Sequence, residues 1–207
     1  MSKLFSLVAV AGMASVASAA IVTAQPMDGT PFGERDTPVF QSMSGSYAAF
    51  AAASGTIGFD DYVTTESGPT FLLSKLVFVG GVTNAGDSLT FNFYDTANVL
   101  AASSNVTLPT GGNFIWTITF GLLPSGDDST FAVPSAGTME IVATAPTTGR
   151  WYLNSAGYIP TVGSESTGFG AGSTLGRNQA FQLNAVPTPG AAALLGLGGL
   201  VATRRRR

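Results

Sequence analysis

Short runs in which apolar and polar residues alternate, each closed by Gly, Pro, Asn, Asp or Ser, fill the middle of the chain. That pattern marks half-buried β-strands. Phe114, Trp116, Ile118 and Phe120 share one face, with Ile115, Thr117 and Thr119 on the other. Leu89, Phe91 and Phe93 alternate with Thr90, Asn92 and Tyr94, and Met139, Ile141 and Ala143 with Thr138, Glu140 and Val142. Phe181 and Leu183 alternate with Gln182 and Asn184. Thr70 to Val79 is a longer apolar run interrupted by Ser74 and Lys75. Thr56–Phe59, Val99–Leu108 and Arg150–Leu153 complete a set of about eight strands. Gly80-Gly81, Asn84-Ala85-Gly86-Asp87, Gly111-Gly112-Asn113 and Ser125-Gly126-Asp127-Asp128 supply turn chemistry between them. Tyr47–Ala53 reads as either a short helical turn or a strand.

Many short strands with one apolar face each predict an all-β protein of two packed antiparallel sheets. A jelly-roll-like β-sandwich over residues 45–186 is the expected architecture, with an immunoglobulin-like sandwich as the alternative. Residues 20–44, with Pro26, Gly29, Pro31, Gly33 and Pro38, read as an irregular arm with room for one edge strand. Residues 154–176, with six glycines, read as one long loop or two loops around a weak strand.

The two ends follow different rules. Lys3, an apolar run from Leu4 to Val16 and the small residues Ala17-Ser18-Ala19 form a secretory signal peptide over residues 1–19. Ala17 and Ala19 mark the cleavage site and imply the Sec export machinery as partner. At the other end, Val186-Pro187-Thr188-Pro189-Gly190 leads into an Ala/Leu/Gly run that closes on Arg204, Arg205, Arg206 and Arg207. The prolines set the start of a hydrophobic helix. From Gly190 to Thr203 it would reach about 21 Å at 1.5 Å per residue, short of a bilayer core of about 30 Å. Such a span suits a transient stop in the membrane, and the four arginines keep the tail inside and the domain outside.

This tail, residues 187–207, resembles the PEP-CTERM sorting signal of bacterial exported proteins: a Pro-Glu-Pro-like motif, a short hydrophobic transmembrane helix and a terminal basic cluster. Thr188 stands where the usual motif has Glu, so the tail looks like the Val-Pro-Thr-Pro-Gly variant. The resemblance implies an exosortase as processing partner, an inner-membrane intermediate, and a final place in the cell envelope, at the cell surface or in extracellular matrix. More loosely, the order Phe59-Asp60-Asp61-Tyr62, then Trp151-Tyr152, then Asn178 to Leu183 resembles small exported proteins of the same kind and assigns no activity.

Composition then removes chemistry. The 207 residues contain no Cys and no His. Disulfides, thiolate metal sites, Cys nucleophiles and Ser-His-Asp triads are therefore excluded. Residues 20–186 keep Arg35, Lys75, Arg150 and Arg177 against all 12 acids, a net charge of −8. An acidic domain repels nucleic acid and anionic lipid. No phosphate-binding or dinucleotide-binding motif is present.

What remains is carboxylate and aromatic chemistry. Asp60-Asp61 and Asp127-Asp128 are the adjacent acidic pairs. In a strand, neighbours point to opposite faces, so neither pair alone makes a catalytic dyad. They read either as solvated turns or as oxygen donors for a structural calcium ion. Trp151, Tyr152 and Tyr158, beside Asn154, read either as packing residues or as a sugar-binding platform. No catalytic residue is assigned and no cofactor is required. The expected function is that of an exported, non-enzymatic module, structural, adhesive or associated with extracellular polysaccharide. The alternatives are a polysaccharide hydrolase or lyase using carboxylates, and a scaffold without a small ligand.

Overall fold

The computed structural model describes residues 20–27, 38–48, 52–120, 131–165 and 177–186. They are all-β, in antiparallel sheets. The strands are β1 (Ile21–Gln25), β2 (Pro38–Ser42), β3 (Tyr47–Ala48), β4 (Gly55–Val63), β5 (Thr70–Val82), β6 (Ser88–Asp95), β7 (Leu100–Thr107), β8 (Gly112–Thr119), β9 (Phe131–Pro134), β10 (Ala136–Ala143), β11 (Gly149–Trp151), β12 (Leu153–Asn154) and β13 (Phe181–Ala185). Every run expected to be a strand contains one.

The larger sheet runs β1-β8-β5-β13-β2, and the smaller β4-β10-β6-β7. β3 and β12 form a separate two-stranded pair. β5 organises the larger sheet because it is long enough to take two partners along each edge. One edge pairs with β9 at Thr70–Leu73 and with β8 at Lys75–Val82. The other pairs with β13 at Leu73–Phe78 and with β11 at Gly80–Val82. A register irregularity at Asn184/Ala185 sits opposite Ser74, whose hydroxyl donates to the Asn184 carbonyl at 3.0 Å. It turns both Leu73 and Leu76 into the core.

The two sheets enclose one apolar core. Phe91 and Phe93 of β6 and Met139 and Ile141 of β10 meet Phe78 of β5, Trp116 of β8 and Phe181 of β13. Aromatic rings touch edge-to-face across the layer, as in Phe78–Phe91, with centroids 5.2 Å apart at 66°. The period-two faces of β6, β8 and β10 follow from this single buried side. β5 reads as continuous apolar sequence because its other face is covered too: Val77 and Val79 pack with Ile115, Met43, Tyr152 and Ala180 in a second cluster.

Three features sharpen or correct the expectations. Residues 20–44 supply both edge strands of the larger sheet, β1 on β8 and β2 on β13. The sandwich therefore starts at Ile21 rather than at residue 45. An edge tolerates Pro38 at the first position of β2, where no ladder hydrogen bond is demanded of its nitrogen. The Tyr47–Ala53 stretch is strand at β3, with Ala53 bridged to Gly149. The described part of the 154–176 stretch, finally, includes a strap. Gln41 donates to Val162 O and accepts from Thr161 N, while Val63 and Ser164 exchange bonds of 2.7 and 2.9 Å. Thr161–Ser164 thus ties edge strand β2 of one sheet to edge strand β4 of the other.

Candidate functional site

Asn178–Ala180, just before β13, is where the sequence-selected residues converge. Asp60 lies on β4 opposite Met139, so it faces inward. It is 1% exposed, and its carboxylate accepts the backbone N–H of Gln179 at 2.7 Å and of Asp61 at 3.1 Å. Asp61, next along the strand, belongs to the opposite face. Trp151 is fully buried, and its Nε1 donates to the Ala180 carbonyl at 3.2 Å. Tyr152 N donates to Val79 O, and its carbonyl accepts Ala180 N, both at 2.8 Å. Asn178 Nδ2 donates to the Tyr158 carbonyl at 3.0 Å, and the Tyr158 hydroxyl to Met43 O at 2.9 Å.

Asn154 completes the hub. Its Nδ2 donates to Ser42 O, Ser42 Oγ and Gln179 O at 2.8–3.0 Å, and its Oδ1 accepts Ser44 N at 2.9 Å. Gly58 makes room for this layer. A Cβ there would lie 2.7 Å from the Gln179 amide and 3.0 Å from the Trp151 ring.

The aromatic part of the sugar-platform reading meets a geometric obstacle. Trp151 has no exposed ring face, and Tyr152 is 9% exposed. Alternation explains it: Trp151 packs on Phe181 inside the sandwich, with centroids 5.5 Å apart, while Tyr152 enters the second cluster. Asp127, Asp128, the cleavage residues Ala17 and Ala19, the motif Pro187, Thr188, Pro189 and Gly190, and Arg204 to Arg207 lie outside the described residues.

Sequence reasoning missed Glu165, at the end of the strap. Burial first, and the neighbouring Asp61 charge second, push its carboxyl up to about 7, against the opposing effect of a hydrogen bond with Asn178. Nothing local marks it, because the contact joins β4 to a segment some hundred residues later (roughly the long-range pairing that local patterns cannot carry). Among the described residues, no three of His, Cys, Asp and Glu gather at metal-binding distance.

A second polar feature lies on the outer face of the smaller sheet. Glu140 of β10 accepts from Thr56 Oγ1 at 2.6 Å, Tyr94 hydroxyl at 2.7 Å and Asn92 Nδ2 at 2.9 Å. Asn92 Oδ1 in turn accepts Ser103 Oγ at 2.7 Å, so the network crosses all four strands. Burial alone would raise the Glu140 pKa, but the three donors together hold it below the ordinary value. A carboxyl depressed on folding contributes stability above its unfolded pKa, and that contribution is lost as pH falls through the folded value. Glu140→Gln should therefore flatten the acid limb of stability measured by urea unfolding below about pH 4.5. An unchanged acid limb would mean the network carries no linkage.

One end of the sandwich holds a cleft of about 520 Å³, lined by Thr64, Glu66, Pro69, Asp95 and Ser135 among others. Asp95 Oδ1 already accepts Ala97 N and Val99 N at 2.9 Å, which shapes the β6–β7 turn. Neither cleft wall carries an aromatic ring.

Comparison with protein-family models, with curated proteins and with solved structures finds no match to this chain.

Proposed function

We propose that this is an exported bacterial protein, sorted through its C-terminal PEP-CTERM-like signal to the cell envelope or the extracellular matrix. Its acidic sandwich would serve there as a non-catalytic structural or adhesive module, associated with carbohydrate. One observation carries the sorting reading: the ordered combination of Pro187-Thr188-Pro189-Gly190, a short apolar run and Arg204 to Arg207 at the terminus, on a chain that opens with a signal-peptide pattern. An exosortase and the export machinery are its partners, and the inner membrane a transient one.

A jelly-roll topology for the sandwich accords with this reading. Taken in chain order, the eight strands β2, β4, β5, β6, β7, β8, β10 and β13 pair first with last and inward from there: β2·β13, β4·β10, β5·β8 and β6·β7. Successive pairs alternate between the sheets, joined by β13·β5 and β10·β6. That is the order produced when one long antiparallel ribbon wraps into two Greek keys. The non-catalytic part is supported by the fate of the inward Asp60 carboxylate, which is engaged by backbone N–H groups. The hydrolase alternative draws on Glu165, a carboxyl raised beside another acid in the manner of a general acid.

Replacing Arg204 to Arg207 with Gln should leave the sandwich folded and redirect the protein on cell fractionation, with loss of tail processing. Unchanged fractionation and processing would remove the sorting reading. Saturable binding of the purified protein to a polysaccharide without product release supports the adhesive module, whereas product release lost in Glu165→Gln would install the hydrolase.

A further inference from the structure

We propose that Arg150, Gly81 and Asn113 form a subsite on the outer face of the larger sheet for one carboxylate-bearing sugar unit, a hexuronate of a polysaccharide. The inference rests on the carbohydrate reading, whose saccharide class it names, and is independent of the sorting tail.

Alternation along β11 sends successive side chains to opposite faces. Trp151 belongs to the core, and a Cβ on Gly149 would point there too, 3.0 Å from Leu89 and 3.1 Å from Ile57. Arg150, between them, therefore stands on the outer face. Gly81 is its partner on β5, and Asn113 is the partner of Gly81 on β8. The three make one row across three strands, with the Cα atoms of Arg150 and Asn113 about 10 Å apart at two strand spacings. Gly81 leaves the middle of that row without a side chain. A Cβ there would run into the Gly112 carbonyl, so the gap is fixed by the ladder itself. The result is a trough of about 200 Å³, lined also by Thr83 and Thr148.

Arg150 is the only charged residue among the described residues that line the trough. Its Nε is buried and has no hydrogen-bond partner. Such an N–H has given up water without a replacement, an exception among buried donors of native proteins. Rotation of the terminal side-chain torsions turns the edge that carries Nε–H and Nη–H into the trough, where a carboxylate accepts both in parallel. A neutral acceptor would satisfy a donor and leave the charge unanswered. Beyond the carboxylate, the ligand meets neutral polar groups. These are the Asn113 amide and the hydroxyls of Thr83 and Thr148, paired at 2.6 Å. Amides and hydroxyls both donate to and accept from sugar hydroxyls. The bare Gly81 backbone between them takes the flat of a sugar ring. The volume lies below the roughly 300–1,000 Å³ of sites for drug-sized ligands, so the trough holds one unit. Four cations against 12 acids give residues 20–186 a net charge of −8, which repels a densely charged chain. The matching polysaccharide is one in which uronate is sparse among neutral sugars.

The test is thermal unfolding of the full chain in rising sodium glucuronate, compared with sodium acetate, glucose and a neutral glucan oligosaccharide at matched ionic strength. A ligand of this size binds at about 1 mM. Glucuronate at about tenfold over that Kd should raise Tm by about 3–6 °C, with acetate and glucose each well below it. Arg150→Gln should abolish the response. Arg150→Lys should weaken binding about tenfold, because an ammonium lacks the planar fork. Asn113→Ala should weaken glucuronate binding about 2–10-fold and leave the smaller acetate response unchanged. Each variant is compared with its own Tm without ligand, so a change in stability does not imitate a change in binding. Glu66→Gln, in the cleft at the end of the sandwich, should keep the full response. No response of the parent up to about 10 mM glucuronate, ten times the expected Kd, overturns the subsite. So does an Arg150→Gln variant that still responds. Acetate that matches glucuronate would overturn the sugar and leave a bare anion site. A response to the glucan that Arg150→Gln retains, with none to glucuronate, would strike the subsite and spare the carbohydrate reading. Silence toward every sugar counts against both.

Discussion

Trp151→Ala is expected to destabilise the sandwich by about 3–5 kcal/mol, the range for emptying a fully enclosed aromatic site. The side chain has 0% exposure, packs edge-to-face on Phe181 at 70°, and uses its only polar atom on the Ala180 carbonyl. Its ring also sits over Gly58, where β4 gives up a side chain to admit it. Alanine would leave a cavity bounded by β4, β11 and β13, three strands from two sheets, which cannot collapse together without breaking ladder pairs. Urea unfolding measures the loss. The same variant separates packing from recognition. A sugar platform predicts near-parent stability with lost polysaccharide binding, whereas the buried geometry predicts the reverse order, a stability loss at any ligand concentration. Trp151→Phe should recover part of the loss, since it refills most of the volume but leaves the Ala180 carbonyl without its donor.

How far the sequence disclosed this arrangement depends on whether the information is local. β6, β8 and β10 were legible because each buries one face, which writes itself as period-two alternation. β5 was legible as an unbroken apolar run because both of its faces are covered. β2 and β9 were harder. Each is short, each carries a proline, and each is recognisable as a strand only through its partner, β13 for the one and β5 for the other. The strap was invisible, since it consists of isolated bridges at Val162 and Ser164 in a glycine-rich stretch with no periodicity.

The candidate site shows the same limit at the level of single residues. Trp151 and Tyr152 stood out as a pair, but alternation sends one into each apolar cluster, and no local signal says which faces a ligand and which the core. Asp60 and Asp61 were rightly separated by the same rule of opposite faces. Their partners, Gln179 for one and Glu165 for the other, come from more than a hundred residues further on. Pairings of that range are made by topology, through the strand order that brings β4 beside the strap and Asn178–Ala180, and no spacing in the chain announces them.

Asp60→Ala should be the second costly change, at about 1–3 kcal/mol, because it leaves the Gln179 N–H buried without its acceptor. Gln179 is 0% exposed, so water cannot replace the carboxylate without opening the layer. Asp60→Asn should cost less, since one oxygen of the same shape remains to accept Gln179 N, but its amide hydrogens then face the Asp61 N–H that the other oxygen now receives. The order alanine, asparagine, parent in rising stability is thus expected from the hydrogen bonds alone. The role of Asp60 is decided by repeating the series with and without calcium. A carboxylate that serves the backbone loses the same stability in both. If instead the loss appears only in calcium, Asp60 is a calcium ligand on the inward face of β4.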